Sequence, residues 1–146
     1  MATVRLTHDY PCDPDKLFAM AVDFDVLMEV MEGLMTYEGM PSEGPFEGQT
    51  VHVKTRLFGK LPPQDYFMEV VEYDPACRII RSREHGAGAK RWDHTLTVEE
   101  IPGGARLNDV VEVEAGWKTP IYAAFCRYVY RKRDAPRRRA LGLAAA

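Results

Sequence analysis

The chain has 146 residues, of which 46% are hydrophobic and 28% are charged, and its formal net charge is −3. A chain of this length buries roughly 70% of its unfolded surface in one core, so a single domain spanning residues 1–146 is expected. The composition excludes the disordered, collagen-like and membrane-embedded classes of protein.

The N-terminal segment predicts one strand followed by two short helices. Apolar and polar residues alternate over residues 3–10, as they do in a half-buried strand. Pro14 follows an N-capping residue and begins the first helix, because proline suits the first helical position. The second helix is predicted to begin near Asp23 or Asp25 and to stop at Gly33.

Six further strands are predicted between residues 34 and 116. They are separated by short segments rich in glycine and proline, which favour turns. Short connections of this kind join antiparallel neighbours. The predicted strands cover residues 34–40, 49–58, 64–73, 78–84, 91–101 and 105–115.

The last predicted element is a long helix that begins near Thr119 and runs into the 130s. Pro136 is expected to end or kink this helix and to leave a basic tail at about residues 136–146. The order of elements predicts an α+β fold in which the long helix fills the concave face of a curved sheet. The apolar residues with helical spacing are Ile121, Tyr122, Phe125, Tyr128 and Val129.

Three widely spaced cysteines, Cys12, Cys77 and Cys126, favour reduced thiols over a disulfide framework or a zinc site. No set of residues has the spacing of metal ligands or of a cofactor motif, so neither a metal nor a cofactor is expected. The sequence lacks a signal-peptide pattern and an apolar run long enough to cross a membrane. We therefore expect a cytoplasmic protein without membrane insertion.

Charge is distributed unevenly along the chain. From Lys118 onward there are eight basic residues and one acidic residue, so this part carries +7 and the remainder carries −10. A solvated basic helix end explains this pattern, and nucleic acid is not the expected partner. The alternative is an interaction module that holds an acidic protein, a nucleic acid or a membrane surface. Its surface would consist of Arg131, Lys132, Arg133, Arg137, Arg138 and Arg139.

Four pieces of the sequence resemble a known superfamily. The pieces are Glu47-Gly48-Gln49, residues 68–75 (MEVVEYDP), residues 92–96 (WDHTL) and residues 103–111 (GGARLNDVV). With the order of elements, they resemble the helix-grip (SRPBCC) superfamily, which includes START lipid-transfer domains, the birch-pollen allergen type and polyketide cyclases. The nearest resemblance is to the bacterial ligand-binding group of the polyketide cyclase/dehydrase and lipid transport class.

The resemblance implies a seven-stranded curved antiparallel sheet wrapped around the C-terminal helix. It also implies a binding fold rather than a particular reaction. The bacterial group often carries two histidines after the tryptophan and a threonine before the final strand, where this chain has Leu96 and Ala105. Chemistry based on a histidine pair is therefore not expected.

A predicted β-hairpin brings candidate site residues onto one face of the sheet. With Gly86-Ala87-Gly88 as its turn, the simplest register places Ser82 opposite Trp92 and Ile80 opposite His94. A slip of one residue would move all of these side chains to the other face.

Asp109 lies on the inward face of the last predicted strand, where its neighbours are apolar. A buried carboxylate needs a partner. His94 and Asp109 are therefore either the polar floor of an apolar cavity or a structural pair within the core. Glu84 is predicted to be a solvated hairpin end without a catalytic role.

The preferred hypothesis is a carrier or sensor that encloses an apolar small molecule, such as a lipid or a polyketide-like or aromatic compound. The alternative is a cyclase, dehydratase or isomerase in which His94 is a general acid or base oriented by Asp109. The predicted ligand-binding residues are Val53, Thr55, Met68, Ile80, Ser82, Trp92, His94, Asp109, Val111, Ile121 and Phe125.

Other apolar residues are assigned to the core or to the outer surface of the sheet. Six methionines cluster around the two short helices and the early strands, and they are expected to fill an irregular core rather than to line a pocket. The alternation within the strands predicts that three aromatic side chains lie on the outer face of the sheet, namely Phe58, Phe67 and Tyr73. An aromatic patch at these positions could support a homodimer.

Overall fold

The fold consists of seven strands and four α-helices within residues 1–143, which are the residues that the computed structural model describes. The strands are β1 (Ala2–Tyr10), β2 (Met35–Glu38), β3 (Thr50–Leu57), β4 (Gln64–Asp74), β5 (Ile79–Gly86), β6 (Arg91–Ile101) and β7 (Gly104–Glu114). The helices are α1 (Pro14–Val22), α2 (Phe24–Val30), α3 (Thr119–Lys132) and α4 (Asp134–Ala140), and a 3₁₀ turn at Gly116–Lys118 precedes α3.

The seven strands form one antiparallel sheet in the order β1-β7-β6-β5-β4-β3-β2. Strands β2 to β7 are a meander, and β1 joins its far edge by pairing with β7. Helix α3 packs against β1 and β7, and α1 packs against β6 and β7. The predicted helix-grip α+β fold is therefore confirmed.

Two groups of buried side chains hold the helices against the sheet. The group under α3 includes Val4, Val111, Val113, Cys126 and Val129. The group under α1 includes Leu17, Phe18, Leu96 and Leu107. Both groups include residues of β7, whereas the concave face of β3, β4 and β5 borders a cavity.

The β5–β6 hairpin differs in register from the prediction. Ser82 lies opposite His94, and Ile80 lies opposite Leu96, so the predicted pairs are wrong by two residues. The turn contains two residues with positive φ, 87 and 88, where the prediction placed a three-residue glycine turn. Because the difference is two residues rather than one, the inward face of the hairpin is the predicted one.

Strand β4 contains an irregularity that changes which of its side chains face inward. Its register with β5 shifts once, after Val70, and an extra residue reverses the alternation of a strand. Tyr73 consequently stacks on Phe18 of α1, with the ring centroids 6.1 Å apart. The prediction that Tyr73 lies on the outer surface is wrong, whereas Phe58 and Phe67 are exposed.

The C-terminal segment forms two helices instead of one helix and a tail. Helix α3 ends at Lys132 and α4 begins at Asp134, so the interruption falls before Pro136. Pro136 lies in the first turn of α4, where a missing N–H costs no helical hydrogen bond. Residues 144–146 of the predicted tail lie outside the described residues. Within residues 1–143, none of the helices combines the length and hydrophobicity that crossing a membrane requires.

Candidate functional site

A cavity of about 450 Å³ lies between the concave face of the sheet and helices α2 and α3. This volume is within the range of small-molecule binding sites, about 300–1,000 Å³. Nine of the eleven residues predicted from the sequence line it. They are Val53, Thr55, Met68, Ile80, Ser82, Trp92, His94, Ile121 and Phe125.

The other two predicted residues, Asp109 and Val111, lie behind the cavity wall. Val111 is fully buried in the core under α3. Asp109 is only 1% exposed and is hydrogen-bonded to His94, whose ring does reach the cavity. Because helix α3 covers β7, the inward face of that strand is core and not cavity surface. The structure therefore corrects the predicted position of both side chains.

The walls of the cavity are mostly apolar and include several flexible side chains. Met31, Met35, Met40 and Met68 all line it. Met31 also belongs to the core under α3, and Met35 packs against that core. The prediction that the methionines fill the core rather than line a pocket is therefore wrong for Met40 and Met68. Thioether side chains adapt readily to the shape of a bound molecule, so this wall suits ligands of variable shape.

The mouth of the cavity lies near the β3–β4 loop, the β5–β6 turn and the start of α3. Leu61 and Ile121 line the cavity and are 48% and 61% exposed. On one side, the Tyr122 hydroxyl donates a hydrogen bond to the carbonyl oxygen of Ala87 at 3.1 Å. A Cβ at Gly88 would lie 2.1 Å from that hydroxyl, so a glycine is needed there. Exposed apolar side chains thus mark the entrance.

His94 presents its imidazole to the cavity. Its Nε2 lies 2.7 Å from Oδ1 of Asp109, and its ring packs edge-on against Tyr130 with the centroids 5.3 Å apart. When Nε2 donates to the carboxylate, Nδ1 is an acceptor in the neutral imidazole and a second donor in the imidazolium. Nδ1 has no hydrogen-bond partner within residues 1–143, so it is available to a molecule in the cavity.

Asp109 also interacts with a buried cation, Arg137. Its Oδ2 lies 3.8 Å from Nη1 of Arg137, which is 3% exposed. Burial opposes ionisation of Asp109, but the hydrogen bond from His94 and the charges of His94, Arg137 and Arg133 outweigh it. The pKa of Asp109 therefore lies below its ordinary value.

A second carboxylate, Glu84, lines the cavity. It accepts a hydrogen bond from the Tyr66 hydroxyl at 2.7 Å and another from the Ser82 hydroxyl. Burial, together with the charge of Glu84, raises the pKa of Tyr66, so the phenol remains a donor. The prediction of a solvated hairpin end is wrong, because β5 continues to Gly86 and its alternation places Ser82 and Glu84 on one face.

Arg133, at the junction of α3 and α4, also lines the cavity, although it is only 9% exposed. Its Cζ lies 4.1 Å from the ring centroid of Tyr130, and its Nε donates to Sδ of Met31 at 3.1 Å. Burial lowers the pKa of Arg133, but interactions with Tyr130, Tyr37 and two carboxylates raise it above its ordinary value. The guanidinium is therefore charged.

The burial of Arg133 and Arg137 corrects the predicted basic interaction surface. Both residues were assigned to a solvated helix end, yet they lie inside the protein. Three exposed basic residues of that predicted surface remain in the described helices, namely Arg131, Lys132 and Arg139. The surface is consequently smaller than the sequence indicates.

Polar lining residues that the sequence analysis did not assign to the site include Tyr37, Tyr66, Glu84, Tyr130 and Arg133. The alternation of β4 and β5 carried a signal for two of them, because Tyr66 shares a face with Met68, and Glu84 shares a face with Ser82. Arg133 follows Phe125 and Val129 at intervals of four residues, which places it on the same helical face.

A curled antiparallel sheet, a helix within its grip and a cavity between them define a helix-grip protein of the ligand-binding type. The chain matches the family described as polyketide cyclase / dehydrase and lipid transport over residues 1–139, and it belongs to this family. No curated protein matches the sequence of the chain.

Several solved structures share the fold. Protein Ms6760 from Mycobacterium smegmatis is 12% identical, with a TM-score of 0.77 over 99% of this chain and 92% of that one. Protein CV1439 from Chromobacterium violaceum is 18% identical, with a TM-score of 0.73 over 90% of each chain. Ara h 8.0201 is 15% identical, with a TM-score of 0.73 over 97% of this chain and 98% of that one. At these identities, the similarity shows the fold alone.

Proposed function

We propose that the protein binds an apolar small molecule in the cavity and acts as a carrier or sensor for it. The observation that supports this proposal is an open volume of about 450 Å³ under a helix that otherwise packs closely. Protein interiors have few voids larger than a water molecule, and an unfilled apolar cavity costs stability. A bound ligand restores the missing contacts.

The lining indicates the class of ligand. Most of its side chains are aliphatic, aromatic or thioether groups, and a small number of polar groups converge on the cavity. Binding sites for small molecules have this composition, because apolar walls supply affinity and a few polar groups fix orientation. Lipids, polyketide-like molecules and aromatic compounds are ligands that suit such a lining.

Native mass spectrometry of gently purified protein, followed by organic extraction, tests the proposal. We expect a stoichiometric apolar adduct, whose identity the extract then provides. If the protein has the mass of the bare chain and keeps it after incubation with mixed lipids and aromatic polyketides, the carrier proposal is wrong.

His94 supports a second candidate function, that of a cyclase, dehydratase or isomerase acting in the same cavity. A histidine that lines a cavity, with one ring nitrogen held by a buried carboxylate and no protein partner on the other, has the arrangement of a general acid or base. Asp109 would orient the ring and would not itself contact the substrate, because it lies behind the wall.

For the enzymatic candidate, His94→Ala is expected to lower turnover of the extracted ligand by about 10²–10⁴-fold, the range for general acid–base catalysis. Binding of the ligand should be retained. The matched control is His52→Ala, which removes a histidine that is also hydrogen-bonded to an aspartate, Asp65, but is exposed to solvent. Wild-type protein that leaves its extracted ligand unchanged would rule out this candidate.

A further inference from the structure

We propose that Arg133, Tyr37 and Tyr130 form a subsite for the carboxylate of an otherwise apolar ligand. The protein would then prefer long-chain or aromatic carboxylic acids to the corresponding alcohols. This inference rests on the proposed function, because it assigns the polar end of the molecule that the cavity holds.

Arg133 is the first reason for this subsite. Within residues 1–143 it makes no salt bridge, and its Nη1 and Nη2 have no hydrogen-bond acceptor. Buried N–H donors without an acceptor are costly. Because Arg133 lines the cavity, a ligand can supply the missing acceptor. The planar guanidinium offers two parallel N–H donors, which match the two oxygens of a carboxylate.

Tyr37 and Tyr130 add two further donors to the same region. Both line the cavity. Within residues 1–143 the tyrosine hydroxyls that form hydrogen bonds are those of Tyr66 and Tyr122, and those of Tyr37 and Tyr130 form none. Burial raises the pKa of Tyr37 to about 12 and also raises the pKa of Tyr130, so both phenols stay protonated at neutral pH. Three donor groups without a protein acceptor therefore face one ligand volume.

The two nearby protein carboxylates do not fill this role. Glu84 takes its hydrogen bonds from Tyr66 and Ser82, and Asp109 takes its hydrogen bond from His94. Neither is a hydrogen-bonding partner of Arg133 in the structure. A ligand carboxylate therefore completes the donor set without displacing either protein carboxylate from its own hydrogen bonds.

The test compares acids with alcohols of the same skeleton. Displacement of the neutral fluorophore N-phenyl-1-naphthylamine at pH 8 would be measured for decanoic acid against decan-1-ol, and for 2-naphthoic acid against 2-naphthol. We expect wild-type protein to bind at least one acid about 10- to 100-fold more tightly than its alcohol, as hydrogen bonds to charged groups predict. Arg133→Met should abolish this preference, because it should weaken binding of the acid far more than binding of the alcohol.

Arg131→Met is the matched control, because it removes an exposed cation two residues earlier in the chain. It should keep the preference for the acid. If Arg133→Met does not fold, the double variant Tyr37→Phe, Tyr130→Phe should still reduce the preference about three- to tenfold. If wild-type protein binds the fluorophore but has equal affinities for acid and alcohol, the proposed subsite is wrong and the proposed function still stands. Failure to bind the fluorophore, the acids and the alcohols would overturn the proposed function as well.

Discussion

Replacement of Asp109 by alanine is expected to destabilise the protein by about 3–5 kcal/mol, the usual cost of removing one partner from a buried ion pair. The variant leaves Arg137 buried without its carboxylate and removes the hydrogen bond that orients His94. Because Asp109 does not touch the cavity, this loss measures its structural role. Urea unfolding at pH 7, followed by circular dichroism, would determine the change in the free energy of unfolding.

Asp93→Ala is the control for this prediction. Asp93 is on β6, one residue before His94, and its partner Arg91 is exposed. Surface ion pairs contribute at most about 1 kcal/mol, so a similarly small change is expected. A loss below about 1 kcal/mol for Asp109→Ala as well would show that Arg137 finds another partner or that the pair is not formed.

The same residue predicts how stability depends on pH. The folded-state pKa of Asp109 lies below the ordinary aspartate value of 3.8. The ionised Asp109 therefore contributes fully to the free energy of unfolding above pH 3.8. This stabilisation is lost as the pH falls through the folded-state pKa. Unfolding free energies measured from pH 7 down to pH 2 should fall for wild-type protein, and the difference between it and Asp109→Ala should narrow below about pH 4.

Much of the fold could be predicted because its signals are local. The alternation of residues in β1, the Asp13-Pro14 start of α1 and the glycine and proline turns each act within a few residues. The prediction failed where one residue changed the phase of a strand. The shift after Val70 moved Tyr73 inward, and no local pattern marks that shift.

The candidate site was predicted less completely, because charge misled the interpretation of two positions. A cation in a run of basic residues is usually solvated, yet Arg133 lies on the cavity face of its helix and Arg137 lies beside Asp109. The sequence predicted a helix that ends or kinks at Pro136 and a basic tail after it, whereas Arg137 lies in a second helix, α4. The pairing of Arg137 with Asp109 joins residues 28 positions apart in the sequence, so no local pattern marks it.

Conversion of Val53 to tryptophan is expected to abolish ligand binding by occupying the cavity. Val53 lies on β3, is 4% exposed and points into the cavity, so an indole at this position takes the space of the ligand. The affinity for N-phenyl-1-naphthylamine, measured by fluorescence titration, should fall at least ~100-fold, or about 2.8 kcal/mol. Overpacking costs typically 1–3 kcal/mol in a closed core, and the open volume here should keep the loss of stability at the low end of that range.

Lys54→Trp places the same side chain one residue later, on the outer face of the strand. It removes an exposed ion pair with Asp65, which contributes little to stability. Because alternate residues of a strand point to opposite faces, this control should bind the fluorophore as wild-type protein does. If both the Val53→Trp and the Lys54→Trp variants bind the fluorophore as tightly as wild-type protein does, the ligand lies outside the cavity. Loss of binding in the Val53→Trp variant alone would locate the ligand between the sheet and α3, within reach of the proposed carboxylate subsite at Arg133.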